Sequence, residues 1–507
     1  MHTPVRLPWL VWLLALISVA LHLVFFNNLG YHRDELLYFS LGKHPAWGYA
    51  SVPPLVGLLS WLIQSLLGDS LFAVKLVPAL MSGVMVVLGA FLAQQLGGRK
   101  YAMKLAAVGM IVPPLMLRAY FLYQPVFLDI FFWTLCYYWF IRYLNTDAPR
   151  YLYFLSATAG LGFLNKYLIL LLIFCLITSL LLSRRRIILQ SKHFVGALLL
   201  GFVVVLPNLI WQFAHGLPVT QHMNALETTQ LTHVDRVAFL VEQVLMPFAA
   251  MPLVITGVVY MLRMRRFKAV AMSALLVVAV LFSVQGKSYY TAGVFPLLIS
   301  CGTIFWERVL KTPLTRIGLP VLMILVTLPL LPLGLPVFGT KGLVAYFNGL
   351  EENFGIDFGR RFEDGTVHPL PQDYADMIGW EELTTIVDKA YQQTQDKSQT
   401  LIYCENYGQA GAVTIIGSRY NLPEPMCFNE SFLYWAPRLL DKDIQEFIYV
   451  NDELGEDIPA LFADIKEVGR ITNPYARERG TQVYLCRQPK VNISQFLRKR
   501  IAEETPF

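Results

Sequence analysis

Long apolar blocks, each close to the length of a membrane crossing, fill the chain up to residue 337, and an ordinary mixture of polar and apolar positions follows. A crossing helix needs roughly 20 predominantly apolar residues. On that measure spans fall at 7–27, 73–96, 102–119, 125–146, 150–165, 167–183, 194–213, 236–262, 267–285, 289–308 and 317–337, about eleven in all. The stretch Leu55–Leu67, behind Pro53-Pro54, is apolar but too short to cross and reads as lying in the membrane interface. The first apolar run, Leu7 to Phe26, is long for a signal peptide and has no small-residue cleavage site after it. It reads as an uncleaved first span.

Beyond residue 337 the period changes. Gly379–Gln395 has helical spacing, while Thr400–Tyr403, Glu446–Val450 and Gln482–Leu485 read as strands, with short helical stretches between them. The expected fold class is mainly α: a polytopic transmembrane helix bundle, residues 1–337, followed by a small extracytoplasmic α/β domain, residues 338–507.

Loop charge orients this arrangement. One set of alternate loops holds Arg99-Lys100, Arg184-Arg185-Arg186, Arg263, Arg265-Arg266 and Lys311 with Arg316, and the other set is poor in Lys and Arg. The positive-inside rule puts the N-terminus in the cytoplasm. An odd number of spans then puts residues 28–72 and everything after about 338 outside.

Composition agrees. Only 15% of the 507 residues are charged and 55% are hydrophobic, where a soluble chain carries roughly a quarter charged. The net charge of +6 lies mainly in short loops, which suits membrane orientation and speaks against a nucleic-acid partner. Cys136, Cys175 and Cys301 lie in apolar spans, and Cys404, Cys427 and Cys486 in the tail, without a C-x-x-C. A zinc or redox centre is not expected. Cys404 and Cys486, both on predicted strands, would pair only if those strands were neighbours.

Several polar residues stand where polarity needs a reason. Tyr31-His32-Arg33-Asp34-Glu35 opens the first external loop, which continues through Trp47-Gly48-Tyr49 to the prolines. The carboxylates are either a solvated loop or part of a pocket. Asp129 lies a few residues into the fourth span, where a carboxylate costs about 2.5–3.5 kcal/mol if deep. It is either a packing residue bonded to a neighbouring helix or a functional one. Lys166 and Lys287 sit at outer ends of spans, either snorkelling or clamping a phosphate. Lys287 is followed by Ser288-Tyr289-Tyr290, and His215 opens another external loop. In the tail, Glu405-Asn406-Tyr407-Gly408 sits at a strand-to-helix turn, either a tight turn needing Gly408 or an acceptor-binding helix start.

Taken in order, these segments resemble the GT-C type membrane glycosyltransferases. The match is with family 39, the dolichyl-phosphate-mannose–protein mannosyltransferase-like bacterial proteins, relatives of the aminoarabinose transferase that modifies lipid A. The resemblance rests on Arg33-Asp34-Glu35-Leu36, Trp47-Gly48-Tyr49, Pro53-Pro54-Leu55 and Gln124 to Asp129. It continues through Leu164-Asn165-Lys166-Tyr167, Pro207 to Gln212, His215-Gly216 and Lys287 to Tyr290, and in the tail through Glu405 to Gly411 and Asn473 to Arg477.

The resemblance implies transfer of a sugar from a polyprenyl-phosphate donor to a lipid, glycan or protein acceptor on the outer face, with inversion, in the bacterial inner membrane. It makes Asp34 the general base, Glu35 its neighbour in the motif and Asp129 the second acidic residue. Lys287 and Lys166 are expected to bind the donor phosphate. Tyr49, His215, Tyr289 and Tyr290 are expected to line the substrate pocket, and one outward-facing cavity is expected to take Asp34, Asp129 and the two lysines. Several relatives carry an acidic or basic residue directly before the Pro-Pro pair, whereas this chain has Ala50-Ser51-Val52. No metal or other cofactor is expected. The competing class is a polytopic transporter or lipid flippase, which the lack of an internal repeat and the external clustering of carboxylates disfavour. A surface-polysaccharide polymerase or ligase would use a similar donor.

Overall fold

The computed structural model describes residues 6–221, 223, 235–355, 357, 359–362 and 366–504. The chain divides into two compact units. The first comprises Met1–Phe25, Val52–Leu55 and Lys75–Leu335; the second comprises Phe26–Ser51, Val56–Val74 and Pro336–Phe507. Most of the segment between the first two long apolar runs thus folds with the tail, not with the helix bundle that flanks it in sequence.

The first unit is the helix bundle. Among the described residues five helices are long and apolar enough to cross a membrane: Leu71–Gln95, Lys192–Ala214, Arg265–Ser283, Ser288–Val309 and Pro313–Gly334. Shorter apolar helices include Trp9–Val24 and Ile169–Leu181. Two expected spans are interrupted, each at proline. Residues 102–119 divide into helices Lys100–Gly109 and Pro114–Ala119, because Pro113 and Pro114 have no N–H to continue the ladder. Residues 236–262 divide into Arg236–Leu245 and Phe248–Arg263, bent by 65° at the break that holds Pro247. Helices Met251–Arg263 and Phe295–Val309 meet backbone to backbone. A β-carbon on Gly257 would collide with the carbonyl of Leu298, and one on Gly302 with that of Leu253. Small residues allow such approach in a membrane, where packing rather than water drives association.

The second unit is built on a four-stranded sheet. Its strands are β1 (Thr400–Cys404), β2 (Glu446–Asn451), β3 (Phe462–Arg470) and β4 (Gln482–Pro489), in spatial order β1-β2-β4-β3. β1 and β2 are parallel, and the other pairs antiparallel. One face buries a row of stacked rings, with centroids of Tyr403 and Phe447 5.8 Å apart and of Phe447 and Phe462 5.4 Å apart. Leu440, Ile493, Leu497 and Ile501 pack onto that row. The predicted helix runs Trp380–Gln392 and the interfacial stretch is helix Leu55–Leu67. The sheet order corrects the cysteine pairing. β2 lies between Cys404 on β1 and Cys486 on β4, so the two are separated by two strand steps, roughly 9.5 Å, beyond the reach of about 7 Å for a disulfide. All six cysteines are free thiols.

Candidate active site

In the second unit the residues Tyr31 to Glu35 start a helix, Arg33–Ser40. His32 caps it: the Asp34 N–H donates to His32 Nδ1 at 3.1 Å, and the His32 N–H donates to Glu35 Oε2 at 2.9 Å. This reciprocal cap satisfies two orphan amides at the helix start. It also separates the roles of the adjacent carboxylates. Glu35 is fully buried and holds the cap, whereas Asp34 Oδ1 accepts a 2.9 Å hydrogen bond from the Tyr407 hydroxyl.

Tyr407 opens the helix Tyr407–Ile415, directly after β1. Asn406 caps that helix, its Oδ1 accepting from the N–H groups of Gly408 and Gln409 at 2.9 and 3.1 Å. Glu478 takes the amide hydrogens of Asn406 and Gln409 at 3.2 and 3.0 Å. The amides proposed as an acceptor site are therefore capped internally. Gly408 is needed for another reason: a β-carbon there would lie 2.8 Å from Arg33 Cγ. Arg33 in turn stacks over the Tyr407 ring, its Cζ 4.6 Å from the centroid.

Tyr49 is buried in the same unit, and its hydroxyl lies 3.2 Å from the Ala46 N–H and from the carbonyls of Leu41 and His44. Its contacts shape the loop. The adjacent Ala50 N–H donates to Ser431 Oγ at 3.0 Å, and Ser51 bonds the carboxyl of Glu430. Glu430 has φ +59° and a buried Oε2. Burial pushes its carboxyl up to about 7, against the hydrogen bond from Ser51 and with the added repulsion of Asp34.

The first unit gathers the other charged residues. Asp129 lies in the first turns of helix Pro125–Thr146, whose start suits Pro125 because that N–H would be unpaired in any case. It is 4% exposed, and its Oδ1 has no hydrogen-bond partner among the described residues. Lys166 sits in the turn between helices Arg150–Phe163 and Ile169–Leu181. Asn165 ties that turn to the start of the Asp129 helix, donating to the Pro125 carbonyl at 2.9 Å. Lys166 interacts electrostatically with Asp129 and Lys287, and its Nζ lies 5.0 and 4.7 Å from the ring centroids of Tyr289 and Tyr290. The 3₁₀ stretch Ser288–Val294 is held by helix Arg236–Leu245: Thr291 donates to Gln243 at 2.7 Å and Ser288 bonds Glu242.

Asp129, Lys166, Lys287, Tyr289 and Tyr290 therefore form one cluster of the first unit, and Asp34, Glu35 and Tyr49 belong to the second. His215 ends helix Lys192–Ala214 and stacks on Trp211 with centroids 4.1 Å apart. Tyr407 was read from the sequence only as part of a strand-to-helix turn, not as a partner of Asp34, and Glu430 was not read as a site residue. Lys75 was also missed; it is buried, with its Nζ 4.3 Å from the Phe121 centroid. A lysine inside a predicted apolar span was the available signal.

Residues 51–211 match the family model described as dolichyl-phosphate-mannose-protein mannosyltransferase. No curated protein sequence matches the chain. Among solved structures, ArnT from Cupriavidus metallidurans bound to undecaprenyl phosphate is similar with a TM-score of 0.61 at 12% identity, over 94% of this chain and 98% of that one. Its apo state gives 0.59 at 12% identity, over 96% and 98%. AglB, an oligosaccharyltransferase from Archaeoglobus fulgidus in complex with an inhibitory peptide and a dolichol-phosphate, gives 0.49 at 14% identity, over 87% and 69%. The fold is that of the GT-C membrane glycosyltransferases, and the resemblance read from the sequence holds for it.

Proposed function

We propose that the protein is an inverting glycosyltransferase of the bacterial inner membrane, moving a sugar from a polyprenyl-phosphate donor to an acceptor on the outer face. The observation that carries this reading is the first-unit cluster, two lysines and two tyrosines beside a buried carboxylate, on a GT-C fold. A lone buried cation or carboxylate is costly, and a set of them at span ends suits an anionic lipid headgroup.

The assignment follows the bonds of the reaction. An acceptor hydroxyl attacks the anomeric carbon, the bond from that carbon to the phosphate oxygen breaks, and the phosphate leaves with the electron pair. Lys166 and Lys287 meet the charge that grows on the leaving phosphate. The acceptor proton goes to Asp34, while Glu35 stays engaged in the helix cap. Asp129 orients Lys166, and Tyr289 and Tyr290 bound the place of the donor headgroup.

The test is sugar transfer from a polyprenyl-phosphate donor by purified protein, with mass spectrometry of surface glycans and lipids from cells with and without it to identify sugar and acceptor. Asp34→Asn should lose about 100- to 10,000-fold in turnover and retain donor binding. Movement of the lipid across vesicles without any transfer would favour a flippase and overturn the assignment.

A further inference from the structure

Resting on the reading of Asp34 as the base, we infer that Tyr407 of the soluble sheet domain is a positioning residue for it, so that the tail sets the geometry of proton removal. The Tyr407 hydroxyl reaches Asp34 Oδ1 at 2.9 Å. A carboxylate on the first turn of an eight-residue helix has several rotamers open to it, and this contact selects one. Tyr407 is itself immobilised from three sides. Asn406 and Gln409 lock the backbone on either side of it, with Glu478 bracing both amides. Arg33 lies across its ring. The two helices approach without side chains between them, since a β-carbon on Gly411 would meet the Leu36 backbone at 2.9 Å.

The hydroxyl stays a donor. Burial, and then the charge of Asp34, push the Tyr407 phenol well above its ordinary value. The charged and titratable groups around the pair include His32, Arg33 and Glu35 at the same helix start, with Asp373, Asp376 and Glu430 from other elements. Asp376 is engaged by Arg477 at 3.1 Å, and its carbonyl accepts from the Arg33 N–H at 3.0 Å. The Tyr407 hydrogen bond joins the Asp34 carboxylate to the helix that follows β1.

Tyr407→Phe keeps the ring and the Arg33 contact and removes only the donor. With a polyprenyl-phosphate sugar as substrate, kcat should fall about 10- to 100-fold while KM for the donor stays unchanged. A hydrogen bond to the ionised form favours that form, so the acidic limb of the kcat–pH profile should also move to higher pH. A purely structural role would lower activity without moving that limb. Should Tyr407→Phe fail to fold, fluorotyrosine at 407, a stronger donor of the same shape, should move the limb to lower pH. An unchanged limb with either residue, alongside an inactive Asp34→Asn, overturns the role of Tyr407 alone. Full activity in Asp34→Asn overturns the base assignment and the role of Tyr407 with it.

Discussion

Gly293 lies flat against the indole of Trp133: a β-carbon at 293 would sit 2.5 Å from Trp133 Cγ. Trp133 stands one turn beyond Asp129 on the same helix, and Gly293 belongs to the 3₁₀ stretch that follows Lys287. The contact sets how far the Asp129 side of the charged cluster stands from the Lys287 side. Overpacking a filled interior costs about 1–3 kcal/mol. Gly293→Ala should therefore lower the melting temperature in detergent and raise KM for the donor, which a thermal scan with donor kinetics would read. An unchanged KM would show that the spacing does not matter.

The lysines should separate from the base in kinetics. Hydrogen bonds to charged groups contribute about 1.5–3 kcal/mol. Lys166→Ala and Lys287→Ala should each weaken binding of polyprenyl phosphate itself about 10- to 100-fold and also lower kcat. Asp34→Asn should leave that binding intact. Calorimetry with the lipid phosphate distinguishes the two classes, and equal affinity in all three variants would remove the lysines from the phosphate site.

Glu430 predicts a pH dependence of stability. Its carboxyl is raised from 4.5 to about 7 by burial, with Ser51 opposing and Asp34 adding to the shift. The folded state thus holds a proton that the unfolded chain gives up. That contribution is full below about pH 4.5 and is lost as the pH rises through about 7. Glu430→Gln should melt with the wild type at pH 4.5 and above it at pH 8. Coincident melting curves at pH 8 would contradict the buried, protonated carboxyl.

Glycine at the helix contact of the second unit should be less replaceable than glycine elsewhere. Gly411→Ala brings a β-carbon against Leu36 backbone, whereas Gly318, in helix Pro313–Thr327, has nothing within 4 Å. Alanine is favoured over glycine in a helix by about 1 kcal/mol, so Gly318→Ala should hold or raise stability. Gly411→Ala should lower it and reduce turnover. Parallel melts and transfer assays make the comparison.

Apolar length and alternation made the helix bundle and three strands legible. What they missed has local physical causes. β3 carries Asp464, Lys466 and Glu467 at a sheet edge and has mostly exposed side chains, so it offers no buried period to read. The breaks at Pro113-Pro114 and Pro247 lie inside stretches apolar enough to pass as single crossings. Asp129, Lys166 and Lys287 stood out because charge is conspicuous in an apolar run, and the structure brings them together. Glu35 looked equivalent to Asp34, yet helix capping buries it, a distinction made by which residue falls at the third helical position. Tyr407 was invisible as a partner of Asp34 because the pair is 373 residues apart and no spacing rule reaches that far.

That separation has a consequence for how the protein is made. A ribosome adding about 5–20 residues per second needs roughly 20–75 s to travel from Asp34 to Tyr407, a distance of 373 residues. Throughout that interval the first loop has left the ribosome but lacks the helix it packs on. Nascent chains and chains truncated before the final third hold the Asp129–Lys166–Lys287 cluster without the hydroxyl that contacts Asp34. On the role proposed for Tyr407, such a chain would turn over about 10- to 100-fold more slowly than the finished protein, so that full activity waits on the sheet domain.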